Sequence, residues 1–434
     1  MKSKPDIYDM ATWLLKKRDG ILSLAGMQAT NVFIAILTLP IILANLPIAD
    51  YGKWQFLLAL QAWGISLSAP QITEGAKRGM VRGQDGTFFF ALFKRARLLA
   101  MVSLCFILLG LFFARTDRAI FSLLSFSSAF YLFTNILLQS SIGEVFIAKK
   151  MFTRYAVWSI LTSPVARIGS ALIAWFTHSI IIFVLFQIAF AGVASLWVLI
   201  TLVKKFSLWQ MYKRHDYDQS SLTFGLRSIP IDVSGAVSNR LIEVLIGSFF
   251  GLTNLAYFSV ARDLRNQLAN GMKLIFPLLY ADFARQPIEA LIKIFFKRLP
   301  GMIALSTLLG AAGTLGGILY ITIFLPTEFH AAIPLLVILA LAFPIGIPTI
   351  IPAMILQAHL RYRAIAFATI VPNLIEVMLI LSLGWFFGIM GMTSAIAMFG
   401  YISFIFFYFA TVHRDSLKKF LEKSKLIRRI MAAY

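Results

Sequence analysis

Residues 98–114 read LLAMVSLCFILLGLFFA, a run without a single charge, and arginines flank it at Arg97 and Arg115. A helix needs about 20 predominantly apolar residues to cross the hydrocarbon core of a bilayer, so this run and its flanks predict a transmembrane helix. The composition agrees, since 59% of the 434 residues are apolar and only 14% are charged. Soluble domains are about half apolar and a quarter charged. The sequence therefore predicts a helical membrane protein.

Apolar runs of this kind, bounded by charged or turn residues, occur about twelve times and predict an all-α polytopic membrane protein of about 12 transmembrane helices. The predicted spans are 20–45, 54–70, 98–114, 120–147, 155–177, 179–203, 228–250, 255–280, 300–325, 331–358, 364–387 and 390–412. The longest polar stretch separates them into two groups of six. The predicted divisions are an N-terminal six-helix lobe at 1–203 that starts with a cytoplasmic interfacial arm at 1–19, a cytoplasmic linker at 204–227, a C-terminal six-helix lobe at 228–412, and a basic cytoplasmic tail at 413–434.

The basic residues are distributed unequally between the two sets of loops. Of the 40 Lys and Arg residues, 32 fall on one set of loops and the two ends, whereas the opposite loops hold only Lys53, Arg115 and Arg118. Because basic loops stay in the cytoplasm, both ends are predicted to be cytoplasmic. The net charge of +21 is thus spread over short loops, which is not the clustered basic footprint of a nucleic-acid-binding protein.

Sequence signals for enzyme or metal chemistry are missing. Cys105 is the only cysteine, and the five His residues occur singly, outside any HExxH arrangement. The chain carries no P-loop sequence, and no predicted outer loop exceeds about ten residues, which is short for a catalytic domain. We therefore predict no cofactor, no metal site and no enzymatic activity.

The two predicted halves contain a similar turn at the same place. Residues 41–54 lead from the first span into the second across a short outer loop, and residues 245–258 lead from the seventh into the eighth. Two halves of six spans each keep the same orientation, as parallel repeats do in several transporter folds. This arrangement favours a transporter with a site between two lobes.

Ionisable residues inside predicted spans are the most informative chemistry, because each costs a few kcal/mol at the bilayer centre. Arg240 and Glu243 are three residues apart in the seventh span and share a helix face. One interpretation is a structural ion pair. The other is that Arg240 binds an anionic substrate while Glu243 exchanges a proton or Na⁺. Both interpretations require a helix that faces the protein interior.

The eighth span has a polar stripe. Its basic and amide residues fall within a sector of about 140° at 100° per residue. They are Arg262, Arg265, Asn266, Asn270 and Lys273. We interpret the segment as a span that faces a water-filled cavity lined with cations, and the alternative is an amphipathic helix at the membrane interface.

Arg167 in the fifth span and Glu376 in the eleventh each lie about twelve residues from the cytoplasmic side. An interhelical contact is the alternative to substrate or ion binding for each. Together, Arg167, Arg240, Arg262, Arg265 and Lys273 predict an anionic cargo, because buried cations need a neutralising partner and Arg suits phosphate oxygens. Glu243 and Glu376 are the predicted ion-coupling groups.

Three stretches resemble the polysaccharide transporter branch of the multidrug/oligosaccharidyl-lipid/polysaccharide exporter superfamily. They are residues 42–52, residues 229–261 with Pro230, Glu243 and Ala256-Tyr257, and Gly388-Ile-Met-Gly391-Met-Thr-Ser. The chain departs from the family pattern in two places: Glu243 stands where Asp is common, and Asn45 where Arg is frequent. With its twelve predicted spans, the chain looks most like O-antigen (Wzx-type) flippases.

The resemblance implies a flippase of the bacterial inner membrane that moves a polyprenyl-pyrophosphate-linked oligosaccharide from the cytoplasmic to the periplasmic leaflet. It also implies alternating access coupled to an ion gradient. The implied partners are the lipid-linked anionic oligosaccharide, membrane lipid and other polysaccharide-assembly proteins, with no nucleic acid. A small-molecule or multidrug antiporter of the same superfamily is the main alternative, and a membrane glycosyltransferase or polymerase is a further one.

Overall fold

The structure, a computed structural model, describes residues 18–116, 119–133, 137–273, 283, 286–359 and 361–412. These residues are helical almost throughout and form no β-strand, which confirms the predicted all-α polytopic membrane fold. Among them, six helices are long and apolar enough to cross a membrane, and two bent helix pairs raise the number to eight. The predicted interfacial arm lies outside the described residues except where the first helix begins at Arg18, and so does the basic tail after Val412.

The helices form two compact units. The first unit contains the described residues up to Asn45 together with Pro70–Gly225. Its helices are α1 (Arg18–Asn45), α3 (Gln71–Val81), α4 (Thr87–Arg115), α5 (Ala119–Tyr131), α6 (Leu137–Ala148), α7 (Phe152–Ile160), α8 (Ala166–Thr177), α9 (Ile180–Lys205) and α10 (Leu208–Lys213). A π-helical segment, Leu161–Val165, joins α7 to α8 at Pro164, where the ring removes a backbone donor.

The second unit contains Leu46–Ala69 and the described residues from Leu226 onward. Its helices are α2 (Ile48–Leu67), most of α11 (Ser220–Leu245, which enters this unit at Leu226), α12 (Leu252–Lys273), α13 (Ile288–Phe324), α14 (Ala332–Ala340), α15 (Gly346–Ala358) and α16 (Tyr362–Val412). The sequence analysis assigned residues 46–69 to the N-terminal lobe. In the structure α2 packs against α12 of the second unit, so this helix belongs to a different unit from the one expected.

The last helix contains a sharp reversal. A straight helix over the 50 residues of Arg363–Val412 would extend roughly 75 Å, more than twice the hydrocarbon thickness. Gly388 breaks the helix with a φ of 59°. A Cβ atom on Gly391 would lie 2.0 Å from the Leu383 carbonyl oxygen, so the chain folds back tightly. The predicted eleventh and twelfth spans are therefore the two arms of a helical hairpin.

Some predicted boundaries are wrong because charged residues do not end the helices. Helix α4 begins at Thr87, eleven residues before the predicted span, and α13 begins at Ile288 instead of residue 300. The predicted fourth span coincides with α5 and α6 over its described residues. A helix can continue beyond the hydrocarbon core, and its Lys and Arg side chains then lie at the polar membrane surface. A charged residue therefore indicates where a helix leaves the hydrocarbon core, and not where the helix ends.

Helices α2 and α12 lie in the predicted second and eighth spans. Neither is among the six described helices that are long and apolar enough to cross a membrane. Both are nevertheless buried inside the second unit, where α12 packs against α2 and α14. A Cβ atom on Gly52 would lie 2.0 Å from the Leu252 carbonyl oxygen, so glycine lets the two backbones approach. The burial of α12 argues against the alternative of a surface helix at the membrane interface.

Candidate functional site

Helices α11 and α12 place the charged residues of the second unit. Helix α11 passes into a π-helical segment, Ile246–Phe250, and the chain then turns at Gly251, whose φ is 88°. Helix α12 begins at the next residue. A positive φ of this size is readily adopted only by glycine, so Gly251 lets the two helices follow each other directly and face each other.

Glu243 lies at the centre of a three-residue ionic cluster. Its side chain has no exposed surface. Arg240 Nη1 donates to both carboxylate oxygens, at 3.1 Å to Oε1 and 3.0 Å to Oε2. Arg262 Nη1, from α12, forms a second ion pair with Oε1. One buried carboxylate thus neutralises one of two guanidinium groups and joins two helices.

The two arginines of this cluster differ in exposure. The Arg240 side chain is 33% exposed, whereas the Arg262 side chain is 11% exposed. Arg262 also lies over the Phe258 ring, 5.9 Å from its centroid. Arg262 Nε is buried without a hydrogen-bond partner in the described part of the chain. Arg240 is therefore the accessible cation of the cluster, and Arg262 is held inside.

Two further residues surround the cluster. Asp263 lies within electrostatic range of both Glu243 and Arg262, and Tyr51 of α2 lies within range of Arg262. Tyr51 is 1% exposed, and its hydroxyl accepts a hydrogen bond from Gln55 Nε2 at 2.8 Å. The cluster therefore involves three helices of the same unit: α2, α11 and α12.

Arg265 and Glu376 form a second charged group. Arg265 lies one turn of α12 beyond Arg262, with its guanidinium 5.9 Å from the Phe343 ring centroid, and Glu376 of α16 is within electrostatic range. Glu376 is only 2% exposed. Arg265 Nε and Glu376 Oε2 are both buried without a hydrogen-bond partner among the described residues. These two opposite charges are near each other, and each keeps bonding capacity.

Asn373 connects this group to α11. Its Nδ2 donates to Ser234 Oγ at 3.1 Å, and its side chain is buried at one turn from Glu376. Pro372 precedes it within α16 and removes a backbone donor there. Asp232, two residues before Ser234, brings a further carboxylate to this part of α11.

The structure thus brings together some of the predicted residues and not others. Arg240, Glu243 and Arg262 meet directly, and Arg265 is near Glu376. Arg167 lies half-buried in the first unit, directly after the π-helical segment. Lys273 ends α12, and its side chain lies outside the part of the chain that is described.

The predicted excess of cations needs correction. The sequence-based prediction set five cations against Glu243 and Glu376 alone; with Asp232 and Asp263 included, the spans that hold these residues contain five basic and four acidic residues. Asp263 directly follows Arg262 and could have been found by counting both signs. The basic residues of these spans thus exceed the acidic ones by only one, and the relevant property is the number of N–H donors that remain unbonded.

Arg95 is a buried cation that the sequence analysis placed in a cytoplasmic loop. It lies on α4 of the first unit, is 1% exposed, and is among the largest fully buried side chains of the described residues. Its Nη1 contacts Ser140 Oγ and lies 3.5 Å from Thr73 Oγ1. Its position between Lys94 and Arg97 concealed it, because three cations within four residues resemble a solvated loop.

Among the described residues, no three His, Cys, Asp or Glu side chains are grouped so that they could hold a metal ion. No protein-family model matches the chain, and no curated protein matches it in sequence.

Several solved structures share the fold. An inward-facing multidrug-resistance MATE family transporter of the MOP superfamily aligns with a TM-score of 0.60 and 13% identity, over 92% of this chain and 99% of that one. A MOP superfamily transporter from Pyrococcus furiosus, whose binding pocket is described as reversed in polarity, aligns with a TM-score of 0.58 and 14% identity, over 93% of this chain and 96% of that one. The lipid II flippase MurJ in an inward closed conformation aligns with a TM-score of 0.50 and 14% identity, over 89% of this chain and 86% of that one. The protein therefore has the fold of these transporters and flippases.

Proposed function

We propose that the protein is a flippase that moves a polyprenyl-pyrophosphate-linked oligosaccharide, such as an O-antigen repeat unit, across the bacterial inner membrane. The observation that carries the proposal is the set of arginines on α11 and α12 that keep unbonded donors. A guanidinium has five N–H donors, and the described bonds of Arg240, Arg262 and Arg265 use only a few of them. A pyrophosphate presents many oxygens and suits such a set.

Each charged residue has a proposed role. Arg240 makes the first contact with the phosphate oxygens because it is the more accessible arginine of the ionic cluster. Arg262 and Glu243 position it, and Arg265 supplies the second guanidinium. Glu376 exchanges the coupling ion, since one of its buried oxygens has no described partner. Arg167 and Lys273 are proposed as further contacts to the cargo, as the sequence predicts.

The fold supports a translocation cycle with alternating access to the two leaflets. The solved structures that share this fold include a multidrug-resistance transporter, a transporter whose pocket is described as reversed in polarity, and a lipid II flippase. A lipid-linked cargo keeps its chain in the bilayer while the polar part crosses, so the protein has to bind mainly the phosphate and sugar groups. Other polysaccharide-assembly proteins are the proposed partners.

A deletion strain tests this function. We expect cells without the protein to accumulate lipid-linked repeat units that stay exposed to the cytoplasm, and the wild-type gene to remove them. Arg265→Ala should insert normally and leave the accumulation unchanged, because a donor to the phosphate is lost. Normal surface polysaccharide in the deletion strain, with no accumulated intermediate, contradicts the proposal.

A second candidate function is export of small cationic compounds by an ion-coupled antiporter. The observation that favours it is the number of buried acids in the second unit, with Glu243 and Glu376 among the most buried charged side chains described. The deletion strain separates the two functions. Sensitivity to cationic dyes without accumulated lipid-linked sugar favours the antiporter.

A further inference from the structure

The short helix α10 packs against the start of α4 through aromatic rings. The Trp209 ring lies 5.1 Å from Phe89 and 6.2 Å from Phe93, measured between centroids. The Tyr212 ring stacks on Trp209 at 5.7 Å and lies 5.6 Å from Phe93. The segment after α9 is therefore attached to the first unit by rings that belong to two helices.

The depth of this contact in the membrane follows from helix lengths. Helix α4 has 29 residues, about 43 Å, so its charged first turns extend beyond a hydrocarbon core of about 30 Å. Helix α9 ends at Lys205, and Ser207 has a φ of 50°, which ends the span and redirects the chain into α10. Both facts place the aromatic contact at the level of the lipid headgroups.

Exposed aromatic and basic side chains meet at this level. Phe93 is 39% exposed and Trp209 is 40% exposed, so one side of each ring stays open. Arg97 is exposed one turn after Phe93, and exposed Lys213 has its Nζ 5.5 Å from the Trp209 ring centroid. Phe93, Arg97, Trp209 and Lys213 are called the linker patch below.

The nearest acidic residues do not cancel the linker patch. Asp216 and Asp218 follow α10 and are half-buried. The backbone N–H of Asp218 donates to Thr87 Oγ1 at 2.9 Å, and the Asp216 carbonyl approaches Gly86, which holds this part of the chain against the start of α4. The exposed side chains of the linker patch are therefore aromatic or cationic.

The surface next to the linker patch is apolar and indicates what covers it. On α4, the row that contains Phe93 and Arg97 continues into Met101 and Leu104, which are 67% and 55% exposed. Exposed apolar side chains of a span face acyl chains. A ligand with a headgroup at the linker patch can therefore lay its chains along α4, which a soluble protein partner cannot do.

We propose that the linker patch binds the headgroup of an anionic phospholipid of the membrane, in the same leaflet as the linker. Arg97 and Lys213 attract the phosphate, while Trp209 and Phe93 lie at the level of the glycerol region, where amphipathic and aromatic rings prefer to be. This site is separate from the cargo residues on α11 and α12, so it does not rest on the proposed function.

Native mass spectrometry of the detergent-solubilised full chain tests this site. Phosphatidylglycerol and phosphatidylcholine are titrated separately onto the wild type and onto an Arg97→Gln/Lys213→Gln variant. The matched control, Lys293→Gln/Arg298→Gln, removes one Lys and one Arg that are exposed on α13. All three proteins are first checked for folding by size-exclusion chromatography.

We expect the wild type and the control to retain phosphatidylglycerol more strongly than phosphatidylcholine. The Arg97→Gln/Lys213→Gln variant should bind phosphatidylglycerol roughly tenfold or more weakly, since each basic residue near a membrane surface contributes about 1 kcal/mol. Unchanged phosphatidylglycerol binding by this variant overturns the proposal. The same result is expected if a protein, and not a lipid, occupies the linker patch. An equal loss in the control, or no preference for phosphatidylglycerol in the wild type, overturns it as well.

Discussion

Glu243 on α11 and Arg262 on α12 form an ion pair at a point where Glu243 has no exposed surface. Arg240 shares the same carboxylate from one turn earlier on α11. A buried carboxylate that serves two guanidinium groups cannot be replaced by a neutral group without leaving two buried or half-buried cations. The cluster is therefore a requirement of the fold of the second unit as well as a candidate site.

The Glu243→Gln variant tests that requirement. We expect it to be less stable by about 3–5 kcal/mol, because removing one partner of a buried ion pair leaves uncompensated charge. Thermal unfolding in detergent, followed by size-exclusion chromatography of the heated protein, measures the change. Asp50→Asn is the control, since its pair with Lys53 is partly exposed and contributes at most about 1 kcal/mol. Equal stability of Glu243→Gln and the wild type contradicts the structural role.

The close contact between α2 and α12 gives a second prediction. Gly52→Ala places a Cβ atom against the Leu252 carbonyl, so the helices have to move apart, at a cost of about 1–3 kcal/mol. Gly316→Ala on α13 is the control, because no atom lies within 4 Å of its added Cβ. We expect the control to unfold at or above the wild-type temperature, given the helix propensity of Ala. If Gly52→Ala unfolds at the same temperature as Gly316→Ala, the close packing of α2 against α12 is excluded.

Much of the fold could be predicted, because hydrophobic length and the distribution of charge both report on the bilayer. Each predicted span overlaps a helix in its described residues, although the tenth is interrupted at 341–342. The association of α2 with the second unit could not be predicted, since the contact at Gly52 depends on the shape of a distant helix. The helix reversal at Gly388 falls between the predicted eleventh and twelfth spans, where the sequence analysis separated them.

The candidate site was predicted in part. Arg240 and Glu243 are three residues apart, so their pairing follows from helix geometry alone. Arg262 was recognised as an unusual cation. Its partner Glu243 is on another helix, and sequence spacing does not predict the distance between side chains of two helices. Tyr51 was missed because a buried Tyr resembles ordinary packing. Arg95 was missed because neighbouring cations masked its burial.

The planar shape of Arg265 gives a third prediction. Arg265→Lys keeps the charge but loses the forked donors that match phosphate oxygens, so we expect transport of the lipid-linked cargo to fall at least about tenfold. Complementation of the deletion strain, normalised to the amount of inserted protein, measures the effect. Arg363→Lys, at an exposed position, should be fully active. Full activity of Arg265→Lys shows that a point charge is enough and contradicts recognition by the guanidinium fork.

Glu376 gives a fourth prediction, on coupling. Glu376→Gln removes the charge of a buried carboxylate that has an unbonded oxygen. We expect this variant to lose the dependence of transport on an ion gradient while it still exchanges cargo between leaflets without a gradient. Proteoliposomes with and without an imposed H⁺ or Na⁺ gradient separate the two activities. A variant that responds to the gradient like the wild type removes Glu376 from the coupling step.

The most direct measurement follows a fluorescent polyprenyl-pyrophosphate-linked oligosaccharide in proteoliposomes that contain the purified protein. A membrane-impermeant reagent reports how much of the label has crossed to the other leaflet, and a cationic dye is measured in parallel. We predict that the wild type moves the pyrophosphate-linked oligosaccharide and not the dye, and that Arg265→Ala moves neither. Transport of the dye alone, or equal transport of the oligosaccharide by Arg265→Ala, contradicts it.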